Sequence, residues 1–170
     1  MLGRILNNYV PMKKRQKEIP GSIVKVAFDK KYHIYARVLN YGDLAFYDRR
    51  FDYDATDLEA VIRCPIIFKS IVNEGGVKHG RWPIIGLLPL EGKLQESKYC
   101  LGRYNADSCN TYINGVVHHN VPLANCKGMD DGGVWSPELI EERIRDFYNG
   151  TPNYWVERYA QLWTKSDTSN

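Results

Sequence analysis

Four cysteines and four histidines are the side chains best suited to nucleophilic or metal chemistry: Cys64, Cys100, Cys109, Cys126, His33, His79, His118 and His119. No two of the cysteines have the two-residue spacing of zinc knuckles or thioredoxin-like redox pairs. Cys109, His118, His119 and Cys126 could in principle ligate a metal. Their spacings, eight residues and then six around an adjacent His pair, match no standard framework. Neighbouring residues of a strand point to opposite faces, so His118 and His119 are a poor pair for one ion. No metal or other cofactor is expected. A cysteine–histidine nucleophile needs spatial adjacency and a lowered thiol pKa, and spacing supplies neither, so idle, buried cysteines are expected. Carboxylates gather in Asp43, Asp48, Asp52, Asp54, Asp57 and Glu59. Two of these could serve a glycosidase, although any sequence holds such pairs and a solvated acidic loop explains them as well. Asp130-Asp131-Gly132-Gly133 lacks the alternation and distal Glu of a calcium loop and reads as a turn. There is no P-loop, no G-x-S-x-G elbow and no H-E-x-x-H. Nothing here announces an enzyme.

The distribution of charge is more informative. Residues 41–60 hold six acids against Arg49 and Arg50, a local −4. Residues 129–148 hold Asp130, Asp131, Glu138, Glu141, Glu142 and Asp146 against Arg143 and Arg145, again −4. The first 31 residues hold eight bases against Glu18 and Asp29, a local +6. The formal net charge of +3 therefore conceals a dipolar chain. Two acidic segments could face a basic partner and speed its capture, or could be two unconnected solvated faces. A net +3 does not announce nucleic acid, and the aromatic residues do not alternate with bases as a base-stacking surface requires.

These side chains must be held by something, and 170 residues suffice for one domain with its own core. Twelve Tyr, five Phe and four Trp favour sheet. Pro20-Gly21 opens a strand whose Val24, Val26 and Phe28 share one face. Residues 32–39 alternate, with Ile34, Ala36 and Val38 inward and Tyr35 and Arg37 outward; 44–48 completes a three-strand meander. Residues 57–62 predict a short helical turn and 66–72 a strong strand. Residues 81–86 predict an edge strand, since Pro83 cannot donate a ladder hydrogen bond. Lys98–Tyr104 and Thr111–His118 are weaker strands. Ser136-Pro137-Glu138 predicts a helix start, with a stripe of Ile140, Ile144, Phe147 and Tyr148 and a stop at Asn149-Gly150. Thr151-Pro152 predicts the cap of a second helix with Trp155, Tyr159 and Leu162 on one face. Strands followed by helices predict an α+β, mainly β fold: a curved antiparallel sheet or small barrel, then two C-terminal helices. The expected organisation is a basic arm at 1–17, a β domain at 18–134, a helical segment at 135–164 packed on the sheet, and a frayed tail at 165–170. No apolar stretch reaches membrane-spanning length. The N-terminus does not read as a secretory signal, and Met12 is a plausible second start that leaves 1–11 outside the native chain. A cytoplasmic location with free thiols follows as the expectation.

Several segments, taken in order, resemble the immunity protein 26 family of bacterial polymorphic toxin systems. They are Met12-Lys13-Lys14-Arg15, Pro20-Gly21-Ser22-Ile23-Val24, Tyr35-Ala36-Arg37-Val38-Leu39, Phe46-Tyr47-Asp48, Pro65-Ile66-Ile67-Phe68 and Gly80-Arg81-Trp82-Pro83-Ile84-Ile85-Gly86, followed by Pro89-Leu90. The family tends to have Gly-Asp at Gly21-Ser22 and Gly-Arg-Val at Ala36-Arg37-Val38, which bears on subfamily and partner. The resemblance implies a non-enzymatic protein that neutralises a cognate toxin by stoichiometric binding over its active site, with roughly 800 Å² buried per partner. The toxin would be a nuclease or another effector with a basic cleft. The interface candidates are Asp43, Asp48, Asp52, Asp54, Asp57, Glu59, Asp130, Asp131, Glu141 and Glu142, with Tyr35, Tyr47 and Tyr53 as aromatic anchors. The runner-up is a small β-barrel nucleic-acid-binding module that uses the basic arm; a hydrolase comes third.

Overall fold

The computed structural model describes residues 14–164. Most of the expected basic arm, the second start at Met12 and the tail from 165 lie outside the described residues. A six-stranded sheet runs in the order β10-β4-β3-β2-β1-β5. Its strands are β1 (Ser22–Ala27), β2 (His33–Val38), β3 (Asp43–Tyr47), β4 (Ile66–Val72), β5 (Ile84–Leu87) and β10 (Val134–Trp135). A four-stranded sheet, β8-β7-β6-β9, is built from β6 (Lys98–Arg103), β7 (Ser108–Ile113), β8 (Val116–Pro122) and β9 (Asp130–Asp131). Pairing is antiparallel except where the two short strands β10 and β9 join β4 and β6. The helices are α1 (Leu58–Ile62), α2 (Pro137–Asn149) and α3 (Tyr154–Thr164). This is the expected α+β, mainly β architecture, realised as curved sheets that do not close into a barrel.

The period-two pattern of the meander has the predicted consequence. Val24, Val26, Phe28, Ile34, Ala36, Val38, Leu44, Phe46 and Phe68 line one face and pack with Trp82, Trp135, Ile140 and Ile144. The opposite face, expected to be outward, is also covered. Ile23, Tyr35, Tyr47, Phe51 and Val61 form a second core beneath α1 and the loop that precedes it. All six residues of β2 are consequently buried. β5 is an edge strand as expected, but it runs Ile84–Leu87, so residues 81–83 of the expected 81–86 strand precede it, and Pro83 O accepts from the Lys25 N–H at 3.0 Å.

Ser136 caps α2 through its hydroxyl, 3.4 Å from the Leu139 N–H, and Gly150 closes it at φ 66°. Ile140 and Ile144 are fully buried, and Tyr148 stacks on Phe28 at 5.5 Å. Phe147, expected in that stripe, is 47% exposed, because the helix leans on the sheet through its 140/144/148 edge. In α3 the cap is Asn153, whose side chain accepts from Val156 N–H at 3.3 Å, rather than Thr151-Pro152. The inward residues are Val156, Tyr159 and Trp163, while Trp155 and Leu162 are exposed. The expected strand 111–118 is instead a hairpin. Asn114 (φ 47°) and Gly115 (φ 86°) form a two-residue turn with both residues left-handed.

The two sheets are joined by a buried carboxylate. Asp43 on β3 accepts hydrogen bonds from Ser97 Oγ at 2.6 Å and from the Tyr99 hydroxyl at 2.7 Å on the β6 side.

Candidate functional site

Residues 48–59 fold into a tethered acidic surface. After β3 the chain turns so that Phe51 and His33 exchange backbone hydrogen bonds at 3.0 and 2.9 Å, and the Phe51 ring packs edge-on to Tyr35 at 5.0 Å. Ala55 N–H donates to the Tyr35 hydroxyl at 2.8 Å, and Asp57 caps α1 by accepting from Ala60 N–H at 3.0 Å. The two bases of the segment fold back on rings. Arg49 lies over Phe51 at 4.9 Å, and Arg50 lies over Tyr32 at 4.3 Å and Tyr148 at 5.5 Å. The acids Asp48, Asp52, Asp54, Asp57 and Glu59 all remain exposed, as does Tyr53 at 60%. Asp54 pairs with Lys25 Nζ at 2.5 Å, which holds its carboxyl below the usual range. The Tyr148 hydroxyl donates to Asp48 at 3.1 Å. Under the loop, His33 is buried against Tyr35 and Phe51, and burial, helped by Lys25, lowers its pKa.

Other sequence candidates lie elsewhere. Asp43 is fully buried in the joint between sheets, and Tyr35 and Tyr47 are each 1% exposed in the second core. None of the three can offer surface to a partner, because a second layer covers the face that alternation alone leaves outward. Glu141 is engaged within the fold. It accepts from Arg81 Nε and Nη2, both at 2.7 Å, and from Trp82 Nε1 at 2.9 Å, while Glu138 takes the third Arg81 bond at 2.6 Å. Glu142 is exposed. Asp130 and Asp131 are half-buried in β9, and burial raises the pKa of Asp130. Near them Arg143 stacks over Phe68 at 3.7 Å and Trp135 at 5.2 Å, and burial brings its pKa down to about 10. The acids of the second segment are thus split between half-buried and exposed positions, whereas all five acids of 48–59 are exposed around a buried Phe51.

The chemistry-bearing side chains are also placed. Cys109 and Cys126 form a disulfide, contrary to the expectation of free thiols throughout. The chain returns after β8 through a 3₁₀ turn at Leu123–Asn125, which sets Cys126 against β7. Cys100, also buried, completes a three-sulfur cluster. Cys64 is a half-buried free thiol whose Sγ donates to Ala60 O at 3.5 Å. His118 and His119 are exposed on β8. His79 lies 3.9 Å from Glu74 at the surface. No described helix is long and apolar enough to cross a membrane.

The family model of immunity protein 26 matches residues 19–109, more than half of the chain. The chain belongs to the immunity protein 26 family. No curated protein and no solved structure matches it. Family membership makes this an immunity protein and implies a toxin as its binding partner. The match extends beyond the segment recognisable at Pro89-Leu90, through β6 to the second residue of β7, and leaves Met12–Arg15 outside.

Several residues of the segments that resemble the family staple the fold together. Arg37, fully buried, donates to Leu88 O at 2.9 Å, to Pro89 O, and to both Glu91 carboxylate oxygens at 3.0 and 3.2 Å. Arg81 and Trp82 fasten α2 to the β4–β5 connection through Glu141. At Gly86 an added Cβ would run into Leu58 of α1, so the glycine lets helix and edge strand meet. Sequence reasoning passed over these partners. Their one visible signal was Arg37, a charge on a strand face that also carries Tyr35.

Proposed function

We propose that this immunity protein acts in the cytoplasm and neutralises its cognate toxin by stoichiometric binding, laying the acidic surface of residues 48–59 over a basic active-site cleft. The observation that carries this reading is the excess of exposed acid in that segment. Five acids and Tyr53 face solvent against two arginines, also exposed, whose guanidinium groups lie over the rings of Phe51 and Tyr32. The loop is tied down at Phe51, Ala55 and Asp57, so little ordering entropy opposes docking. Exposed carboxylates around one aromatic residue suit a positively charged cleft of the kind that nucleic-acid-cutting effectors carry. Protection on this reading needs no turnover, only occupancy.

The test is co-expression and pull-down with toxin domains encoded beside the gene. Asp52→Lys and Glu59→Lys together should cut the affinity for the cognate toxin by at least tenfold and abolish protection, while the thermal midpoint stays unchanged. Full protection by that double variant would refute the acidic interface. The same loss from Glu142→Lys alone would move it to α2.

A further inference from the structure

The four-stranded sheet encloses a separate, smaller interior whose centre is sulfur. Cys100 on β6, Cys109 on β7 and Cys126 beyond the 3₁₀ turn are each 0% exposed. Their Sγ atoms all lie within 4.8 Å of one another. Three points so spaced lie no more than about 2.8 Å from a common centre, 4.8 Å divided by √3. Thiolate–zinc bonds are about 2.3 Å, so two sulfurs of a trigonal site stand roughly 4 Å apart. The Cα atoms of Cys109 and Cys126 are 6.6 Å apart, which leaves room for that separation by side-chain rotation.

Two further features point to a built site. Register shifts fall between Cys100 and Gly102 on β6 and between Cys109 and Thr111 on β7. Such bulges re-aim side chains, and here both sit beside cysteines that converge. The surrounding side chains are Val121, Leu123, Met129, Tyr159 and Trp163. That shell is mostly apolar and includes a thioether, with the Tyr159 hydroxyl and the Gly102 N–H directed at Cys100, an environment that suits a soft cation better than a hard, strongly hydrated one.

We propose that reduction of the Cys109–Cys126 bond turns Cys100, Cys109 and Cys126 into a three-thiolate site for one thiophilic d¹⁰ cation, zinc or copper(I). Two molecules of a low-molecular-weight thiol supply the two electrons and two protons that convert the disulfide to two thiols, and are themselves oxidised to a disulfide. Cation binding then forms three sulfur–metal bonds and releases the three thiol protons to solvent. A reducing cytoplasm, the compartment proposed above, holds such thiols in excess. The cation replaces the covalent staple there. It ties β6, β7 and the 123–126 turn together, and with them α3, whose Tyr159 hydroxyl donates to Met129 O at 3.0 Å. The site is independent of the toxin-binding surface.

The full chain, reduced with a phosphine and desalted under nitrogen, is titrated with Zn²⁺, with Cu⁺, and with Mg²⁺ as control, each against a competing chelator. One equivalent of Zn²⁺ or Cu⁺ per chain should survive gel filtration, and which of the two withstands the chelator decides the cation. The unreduced protein should bind at least tenfold more weakly. Cys100→Ser should lower affinity at least tenfold, and Cys64→Ser should leave it unchanged. Should Cys100→Ser fail to fold, the charge-transfer band of the Cd²⁺-loaded wild type reports the thiolate count, expected to be three. Retention of neither cation by the reduced wild type, a Cd²⁺ band of two thiolates or fewer, or loss of binding in Cys64→Ser would overturn the proposal.

Discussion

Arg37 and Arg81 show how much of the fold depends on single guanidinium groups. Arg37 is enclosed on the covered face of β2, and its bonds to Leu88 O, Pro89 O and Glu91 hold the chain after β5 against the sheet. Arg37→Met keeps the volume but leaves two carbonyls unpaired. It should cost about 3 kcal/mol, read as a lower denaturant midpoint with an unchanged slope. Arg81 is partly solvated, with a side chain 38% exposed, so its bonds to Glu138 and Glu141 are screened. Arg81→Ala should cost about 1 kcal/mol in the same measurement. An Arg81→Ala loss equal to that of Arg37→Met would mean that burial does not set the difference. Strict alternation places Arg37 outward, and the fold instead encloses it completely. Its partners Leu88 and Glu91 were not legible either, because they meet Arg37 only after the chain leaves β5 and passes beside it.

At the scale of elements, the loop 48–59 rests on His33. The imidazole packs on Phe51, and its Nε2 lies 3.1 Å from the Tyr35 hydroxyl, which in turn receives the Ala55 N–H. Burial lowers the His33 pKa below its ordinary value of 6.5. The unfolded chain therefore takes up this proton before the folded one does. The stabilisation is complete above pH 6.5 and is lost as pH falls from there toward the folded-state value. The thermal midpoint should drop from neutral to about pH 5, and His33→Gln should flatten that drop. An equal drop in the variant would assign the acid sensitivity to other groups. Element types were largely readable: strands at 22–27, 33–38 and 66–72, an edge strand after Pro83, and a helix from Ser136. The hairpin at Asn114-Gly115 was also written in the sequence, as the commonest two-residue turn signal, but two weak strands around it read as one. The inward face of α3 was misjudged because Trp155 and Leu162 satisfy a helical stripe as well as Val156, Tyr159 and Trp163 do.

For the whole molecule, the proposed mode of action is electrostatic docking on a pre-formed surface. Association with the toxin should therefore slow at least tenfold as salt rises from low to about 0.5 M, with a smaller change in dissociation rate. The Asp52→Lys/Glu59→Lys variant should show little of this dependence in stopped-flow binding. A salt-independent association rate for the wild type would indicate that apolar contact, centred on Tyr53, dominates instead. The sulfur-centred interior lies in the other sheet, so its redox or metal state should change stability without changing this salt dependence.

The sequence by itself determined the alternation that makes the meander, the caps and stops of α2, the family, and the concentration of acids at 41–60. These are local patterns, set by side-chain periodicity and backbone preference over a few neighbours. Only the tertiary structure decided which of the candidate interface residues reach solvent. Covering the second face of β2 and β3 buries Tyr35 and Tyr47, the joint between sheets takes Asp43, and Arg81 takes Glu141. It also decided that Cys109 and Cys126 meet each other and Cys100 rather than His118 or His119. Strand register and chain reversal bring such groups together across dozens of residues, and no local pattern records where those reversals lead.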